Sequence, residues 1–143
     1  MRSATAPDLL AAGTAFVDLS SWRKIAVSGD DAPGWLNDLV SADISGLAPG
    51  GARRSLLLSP NGRVRAEFTV ARPGGDLVLL QDPVQPTSVQ TLLAPYVLSS
   101  DVALVARTAE LTLFAFPGRT VAPDAHGAYS APSCTGMGGL DMV

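Results

Sequence analysis

The sequence predicts an α+β fold in which a largely antiparallel sheet carries two helices on one face. Three observations lead there. The segments read in the order strand, helix, three strands, helix, two strands, and runs of strands joined by short turn signals pair antiparallel. A hydrophobic content of 47% in 143 residues suffices for a single packed core.

Arg23 to Gly29, RKIAVSG, alternates Ile25 and Val27 inward and predicts the first strand. Asp30 or Asp31 then caps a helix with Pro33 in its first turn, and Trp35, Leu36, Leu39 and Val40 share one face. Gly34 weakens that helix. A turn region from Ser41 to Gly51 leads into the stretch SLLLSPNGRVRAEFTVAR, where Asn61-Gly62 between two alternating runs predicts a hairpin with a two-residue type I′ loop. In that register Leu58 pairs with Arg65, Leu56 with Glu67 and Leu57 with Ala66. Leu57, Val64, Ala66, Phe68 and Val70 form an apolar face. The other face mixes Leu56 and Leu58 with Arg54, Arg65, Glu67 and Thr69.

Pro73-Gly74-Gly75-Asp76 turns the chain into a third consecutive strand, Leu77 to Gln81. Thr87 and Gln90 match a capping box, after which Val89, Leu92, Leu93, Tyr96 and Val97 recur at helical spacing. Pro95 lacks an amide hydrogen, so the helix is expected to kink or end near Ala94. Val102 to Val105 and Leu111 to Phe116 complete the strands. The expected organisation is an N-terminal tail over 1–15, an α+β domain over 16–116, and a linker or the start of a further segment over 117–143. That last stretch is rich in Pro, Gly, Ser and Ala, yet ends GGLDMV with apolar residues resuming, as in a chain cut short.

The net charge is −3, so no overall basic field draws nucleic acid, but Arg53, Arg54, Arg63, Arg65 and Arg72 make up half of the ten basic residues. Only Glu67 opposes them within that window. A basic hairpin on an acidic chain points to an anionic ligand or partner there. The competing reading is an edge that uses charge to discourage strand addition. Aromatic residues are not interleaved with the arginines, so direct nucleic-acid binding is not expected. The one cysteine, Cys134, has no disulfide partner, and with the one histidine, His126, it cannot build a metal site. The first residues lack a continuous apolar signal core, and no run of about 18 apolar residues exists to span a membrane. The expected location is the cytoplasm.

Asp18-Leu19-Ser20, then Val27-Ser28-Gly29-Asp30-Asp31-Ala32 with Trp35-Leu36, Asp43, Leu47 and Gly50, then Leu57-Leu58-Ser59-Pro60-Asn61-Gly62-Arg63-Val64 occur in an order and spacing that resemble the amino-terminal part of the glycine-cleavage T-protein superfamily. The resemblance runs from about Phe16 to about Thr108. Within the superfamily, Leu-Ser-Pro-Asn-Gly-Arg-Val before an alternating strand is more similar to the YgfZ-type folate-binding proteins than to the aminomethyltransferases. The resemblance implies a tetrahydrofolate-binding fold with several subdomains around a central pocket. For YgfZ-type members it also implies a noncatalytic, supporting role in iron-sulfur enzyme maintenance and tRNA modification, with enzymes of those kinds as partners.

Two departures bear on function. Aminomethyltransferases carry Gly-Gly-x-x-Asp-Asp after this turn, where this chain reads Gly62-Arg63-Val64-Arg65-Ala66-Glu67, so a single carboxylate remains. The YgfZ-type motif Lys-Gly-Cys-Tyr-x-Gly-Gln is not present, since Cys134 sits in Ser-Cys-Thr-Gly. Folate has a flat aromatic head and an anionic tail. Leu56, Leu58, Arg54, Arg65 and Glu67 are the candidate binding residues, the carboxylate for the head and a guanidinium for the tail. A surface pair between Arg65 and Glu67 is the bland alternative, and contact with a further subdomain is another. Tetrahydrofolate is the expected cofactor, held weakly by this chain alone. Aminomethyl transfer and a small interaction subunit of a folate-linked amine oxidase are the alternative functions.

Overall fold

Residues 17–117, 128–132 and 138–142 are described in a computed structural model. Their strands are β1 (Val17–Asp18), β2 (Arg23–Ser28), β3 (Gly51–Leu58), β4 (Val64–Arg72), β5 (Leu77–Gln81), β6 (Ala103–Ala106), β7 (Phe114–Pro117), β8 (Ala128–Pro132) and β9 (Gly138–Met142). They form one sheet in the order β1-β7-β9-β8-β3-β4-β5-β2-β6. Every pairing is antiparallel except β3 with β8, which meet in parallel at Gly51 and Ser130. The helices are α1 (Ala32–Leu39) and α2 (Val89–Leu93), and α2 runs on into a 3₁₀ turn at Ala94–Tyr96. The α+β architecture is the predicted one.

Both helices cover one face of the sheet. Leu36 of α1 and Val89 and Leu93 of α2 are buried against Ile25, Val27, Leu57, Ala66, Phe68, Val70, Leu77 and Leu79. A second, smaller cluster of Ala71, Val78, Leu80 and Leu113 lies on the opposite face, with Leu19, Trp22 and Ala52 packed on it. Strand β5 is therefore buried on both sides, which is why LVLL reads as a continuous apolar run. The stretch after Pro117 was expected as a linker or a new segment. Its described residues supply β8 and β9 between β7 and β3. Short strands rich in Ala, Gly and Pro carry little alternation, so pairing with β7 and β3 shows only in three dimensions.

The hairpin between β3 and β4 departs from the predicted loop. A two-residue Asn61-Gly62 loop would need residue 60 to donate its amide to Arg63, and Pro60 has none. The closing pair moves to Ser59 and Arg63, with Ser59 N–H donating to Arg63 O at 2.8 Å and Gly62 N–H to Ser59 O at 2.9 Å. Gly62 takes the left-handed conformation at φ +82°, while Asn61 does not. The result is a three-residue loop followed by a bulge. Pairing runs regularly to Leu57 with Ala66 and then jumps to Leu58 with Val64, leaving Arg65 as the extra residue. The expected Leu58–Arg65 pair does not form. The bulge also turns Val64 onto the Leu58 side, so it is 60% exposed rather than part of the core.

Helix ends follow the expectations closely. Asp31 is the first cap, although its carboxylate accepts from the Asp101 N–H at 2.7 Å rather than from its own helix. Ser88, not Thr87, caps α2 by accepting from Gln90 N–H at 3.2 Å. The α-helix ends at Leu93, and its last i→i−4 bond runs from the Ala94 N–H to Gln90 O, directly before Pro95.

Candidate functional site

The mixed face of the hairpin looks onto the sheet surface that the helices leave uncovered. Over the middle of β4, a concavity of about 130 Å³ is lined by Trp22, Arg54, Glu67, Phe68, Thr69, Asp82 and Gln85. Two of the five residues expected from the sequence, Arg54 and Glu67, meet there. Leu56, Leu58 and Arg65 do not line it. Leu56 is half-buried, Leu58 is exposed, and Arg65 stands exposed on the bulge.

Glu67 forms an ion pair with Arg54, Nη2 to Oε1 at 2.9 Å. The pairing with Arg65 considered from the sequence is replaced by this cross-strand contact. Arg54 faces Thr69, and Glu67 faces Leu56, so the two charges sit diagonally, within reach of a long side chain. The bulge meanwhile takes Arg65 out of the alternation that would have placed it beside Glu67. Both partners are about half exposed, and a surface pair of this kind contributes about 0–1 kcal/mol. Its charges thus remain open to exchange for those of a ligand.

Asp82 follows the last residue of β5 and brings a second carboxylate to the same concavity. Its Oδ1 accepts from Val84 N–H at 2.9 Å, which folds the following loop back on itself. Trp22 supplies an aromatic wall, and Lys24 holds the backbone beneath it. The Lys24 side chain is fully buried on the sheet, and its ammonium donates to Ser20 O at 2.6 Å, Trp22 O at 3.0 Å and Thr108 O at 3.4 Å. Burial pushes its pKa down, and nearby Asp18 opposes that shift. The Asp18 carboxyl is held below its ordinary range by hydrogen bonds from Ser20.

Gln85 completes the wall. Its carboxamide accepts from Glu67 N–H at 3.1 Å and donates to Glu67 O at 2.8 Å. Trp22, Asp82 and Gln85 were not singled out from the sequence. One signal was present, because Gln81 ends an apolar strand at a position whose parity points to the core, and a polar residue there must organise its surroundings. The concavity therefore offers an aromatic ring, two carboxylates, a guanidinium and a hydroxyl. Such a set can hold a flat, hydrogen-bonding ring carrying amino groups. Among the described residues, no group of three or more His, Cys, Asp or Glu could hold a metal ion. No helix there is long and apolar enough to cross a membrane. Cys134 and His126 lie outside the described residues.

The fold is similar to that of glycine cleavage system aminomethyltransferase T from Bartonella henselae, with a TM-score of 0.68 at 18% sequence identity. The match covers 89% of this chain and 40% of that one, so the chain spans less than half of the solved relative. Curated proteins give no significant sequence match. Residues 9–122 match the family model described as the GCVT N-terminal domain. With most of its length inside that match, the chain belongs to the GCVT N-terminal domain family.

Proposed function

We propose that this chain is a noncatalytic tetrahydrofolate-binding domain of YgfZ type. The observation that carries the reading is the convergence of Glu67, Asp82, Arg54 and Trp22 on one concavity of a GCVT N-terminal domain. A carboxylate accepts hydrogen bonds from the amino and ring nitrogens of a pterin, and the indole offers it an apolar wall. In this reading Arg65, exposed on the bulge, meets the anionic tail, and Leu56 and Leu58 give apolar contact along the hairpin. The YgfZ assignment rests on the resemblance of Leu57 to Val64. With it come the implied support of iron-sulfur enzymes and tRNA modification, partner enzymes of those kinds and a cytoplasmic location.

A concavity of about 130 Å³ is small beside the roughly 300–1,000 Å³ of sites that enclose an organic ligand. The domain alone therefore binds tetrahydrofolate weakly or not at all, and walls from outside these residues complete the site. Calorimetric titration of the complete protein tests this. Arg65→Ala is expected to weaken a polyglutamylated folate more than a monoglutamate, and Glu67→Gln to weaken both alike. Affinities unchanged in both variants would return the charges to a solvated edge. Tight binding by residues 1–143 would show a domain sufficient by itself.

One observation favours a second reading, aminomethyl transfer to tetrahydrofolate. Glu67 and Asp82 both line the concavity where the acidic pair is absent at Ala66-Glu67, and two carboxylates there could assist proton transfer at the folate nitrogen. Single-turnover formation of methylenetetrahydrofolate from an aminomethyl-carrier substrate would establish it, and no turnover favours the binding domain.

A further inference from the structure

Among the described residues, β4 has no strand partner on its β5 side beyond Thr69. The β4–β5 ladder pairs Ala71 with Val78, Val70 with Leu79 and Thr69 with Leu80, and ends there. On the other side Glu67 faces Leu56, whose own N–H and C=O bond Ser41 Oγ at 2.9 Å and Ser41 N–H at 3.0 Å. The N–H and C=O of Glu67 consequently point toward the gap that β5 has left. There the Gln85 carboxamide takes both of them, at 3.1 and 2.8 Å, and stands in for the missing rung of the ladder.

Gln85 is itself held from three sides. Gln81 Nε2 donates to its Oε1 at 3.0 Å, Arg23 Nη1 donates to its backbone carbonyl at 2.8 Å, and its own N–H donates to Asp82 O at 3.2 Å. Gln81 in turn uses its full hydrogen-bonding capacity in a fully buried position. Its Oε1 accepts from Val89 N–H and Arg23 Nη1, while its Nε2 serves Thr87 O as well as Gln85. One connected network thus runs from β2 and the start of α2 to the backbone of Glu67.

We propose that Gln85 is a positioning residue that sets Glu67 against Asp82 across the concavity, with Arg23 and Gln81 as its supports. The inference rests on the reading of this concavity as the ligand site, and its test needs no ligand, so the two are decided separately. A planar group with one donor and one acceptor is required, because it must match a backbone N–H and C=O side by side. Glutamine has it at the right length. Asparagine is one methylene shorter, leucine has neither group, and an ionised carboxylate lacks the donor.

The experiment compares amide hydrogen exchange and side-chain carboxyl shifts by NMR in the 143-residue chain and its variants. Gln85→Leu is expected to speed exchange at Glu67 about tenfold and to move the carboxyl resonances of both Glu67 and Asp82. Val70 and Leu79, inside the intact ladder, should keep their wild-type rates. Gln85→Glu supplies a readout that simple loss of packing would not move. At neutral pH the introduced carboxylate can still accept from Glu67 N–H but cannot donate to Glu67 O, and its repulsion from that carbonyl is expected to push the two apart and speed exchange at Glu67. As the pH falls through the ordinary glutamate range near about 4.3, the introduced carboxyl regains a donor, and the rate relative to wild type at the same pH should return toward one. Wild-type exchange at Glu67 in both variants would overturn the proposal. So would a Gln85→Glu rate ratio that does not respond to pH. If Gln85→Leu fails to fold, Gln85→Glu decides alone.

Discussion

Gln81→Leu should destabilise the protein by about 2–4 kcal/mol, a large effect for a substitution of similar volume. The magnitude follows from what each former partner keeps. Arg23 retains Gln85 O at 2.8 Å, and Gln85 Oε1 retains the Glu67 N–H at 3.1 Å, so neither is orphaned. Thr87 is exposed, and water can replace the bond to its carbonyl. The Val89 N–H cannot be rescued in that way. It opens α2, belongs to a fully buried residue, and has Gln81 Oε1 as its acceptor at 2.8 Å. An unsatisfied buried amide costs about 1–3 kcal/mol, and the other lost bonds add about 1 kcal/mol net. With a urea slope of about 2 kcal/mol per molar, the unfolding midpoint should fall by roughly 1–2 M at unchanged slope. Val89 should also lose exchange protection. A midpoint shift below about 0.25 M would show that the network does not support the fold as argued.

Two glycines should respond to alanine with opposite signs. Gly29 has φ +111°, and an added Cβ would stand 2.1 Å from the Asp101 carbonyl oxygen, so Gly29→Ala should cost at least about 2 kcal/mol and lower Tm by about 6 °C or more in calorimetry. Gly34 lies inside α1 with nothing within 4 Å of a built Cβ, and Gly34→Ala should stabilise by about 0.5–1 kcal/mol. At acid pH, Asp43 contributes through its carboxyl, which accepts from Ser45 Oγ at 2.6 Å and Ser45 N–H at 3.0 Å and so titrates below 3.8. The unfolded chain binds the proton first as pH falls. The stabilisation is therefore complete above 3.8 and disappears as pH drops through the lower folded value. Ser45→Ala should move the Asp43 midpoint, followed by NMR, back up toward 3.8, and an unmoved midpoint would refute the assignment.

Local chemistry made much of the framework legible. Alternation at Ile25 and Val27, the apolar run at Leu77, the Asp-Asp-Ala-Pro helix start and the proline after Ala94 each act within a few residues, so the strands and helices they imply could be read directly. The same holds for the polar and apolar split of β4 from Ala66 to Val70. The hairpin loop was partly legible. Asn61-Gly62 announced a turn, but the missing amide of Pro60 decided its type, and the resulting bulge moved Val64 and Arg65 out of their expected places.

The concavity was less legible, because its residues come from distant parts of the chain. Arg54 and Glu67 belong to one hairpin, and their nearness follows from strand pairing. Trp22, Asp82 and Gln85 reach the same place only because β5 lies between β4 and β2 in the sheet. The sequence by itself determined the elements from β2 to β7, their order and the charged character of the hairpin, since propensity, periodicity and turn chemistry are local, whereas β1, β8 and β9 emerge only in the assembled sheet. The tertiary structure alone decided that Glu67 pairs with Arg54, that Asp82 supplies the second carboxylate and that a glutamine side chain takes the place of a strand. These depend on which backbone groups lack a partner once the sheet is assembled, and a one-dimensional pattern does not contain that information.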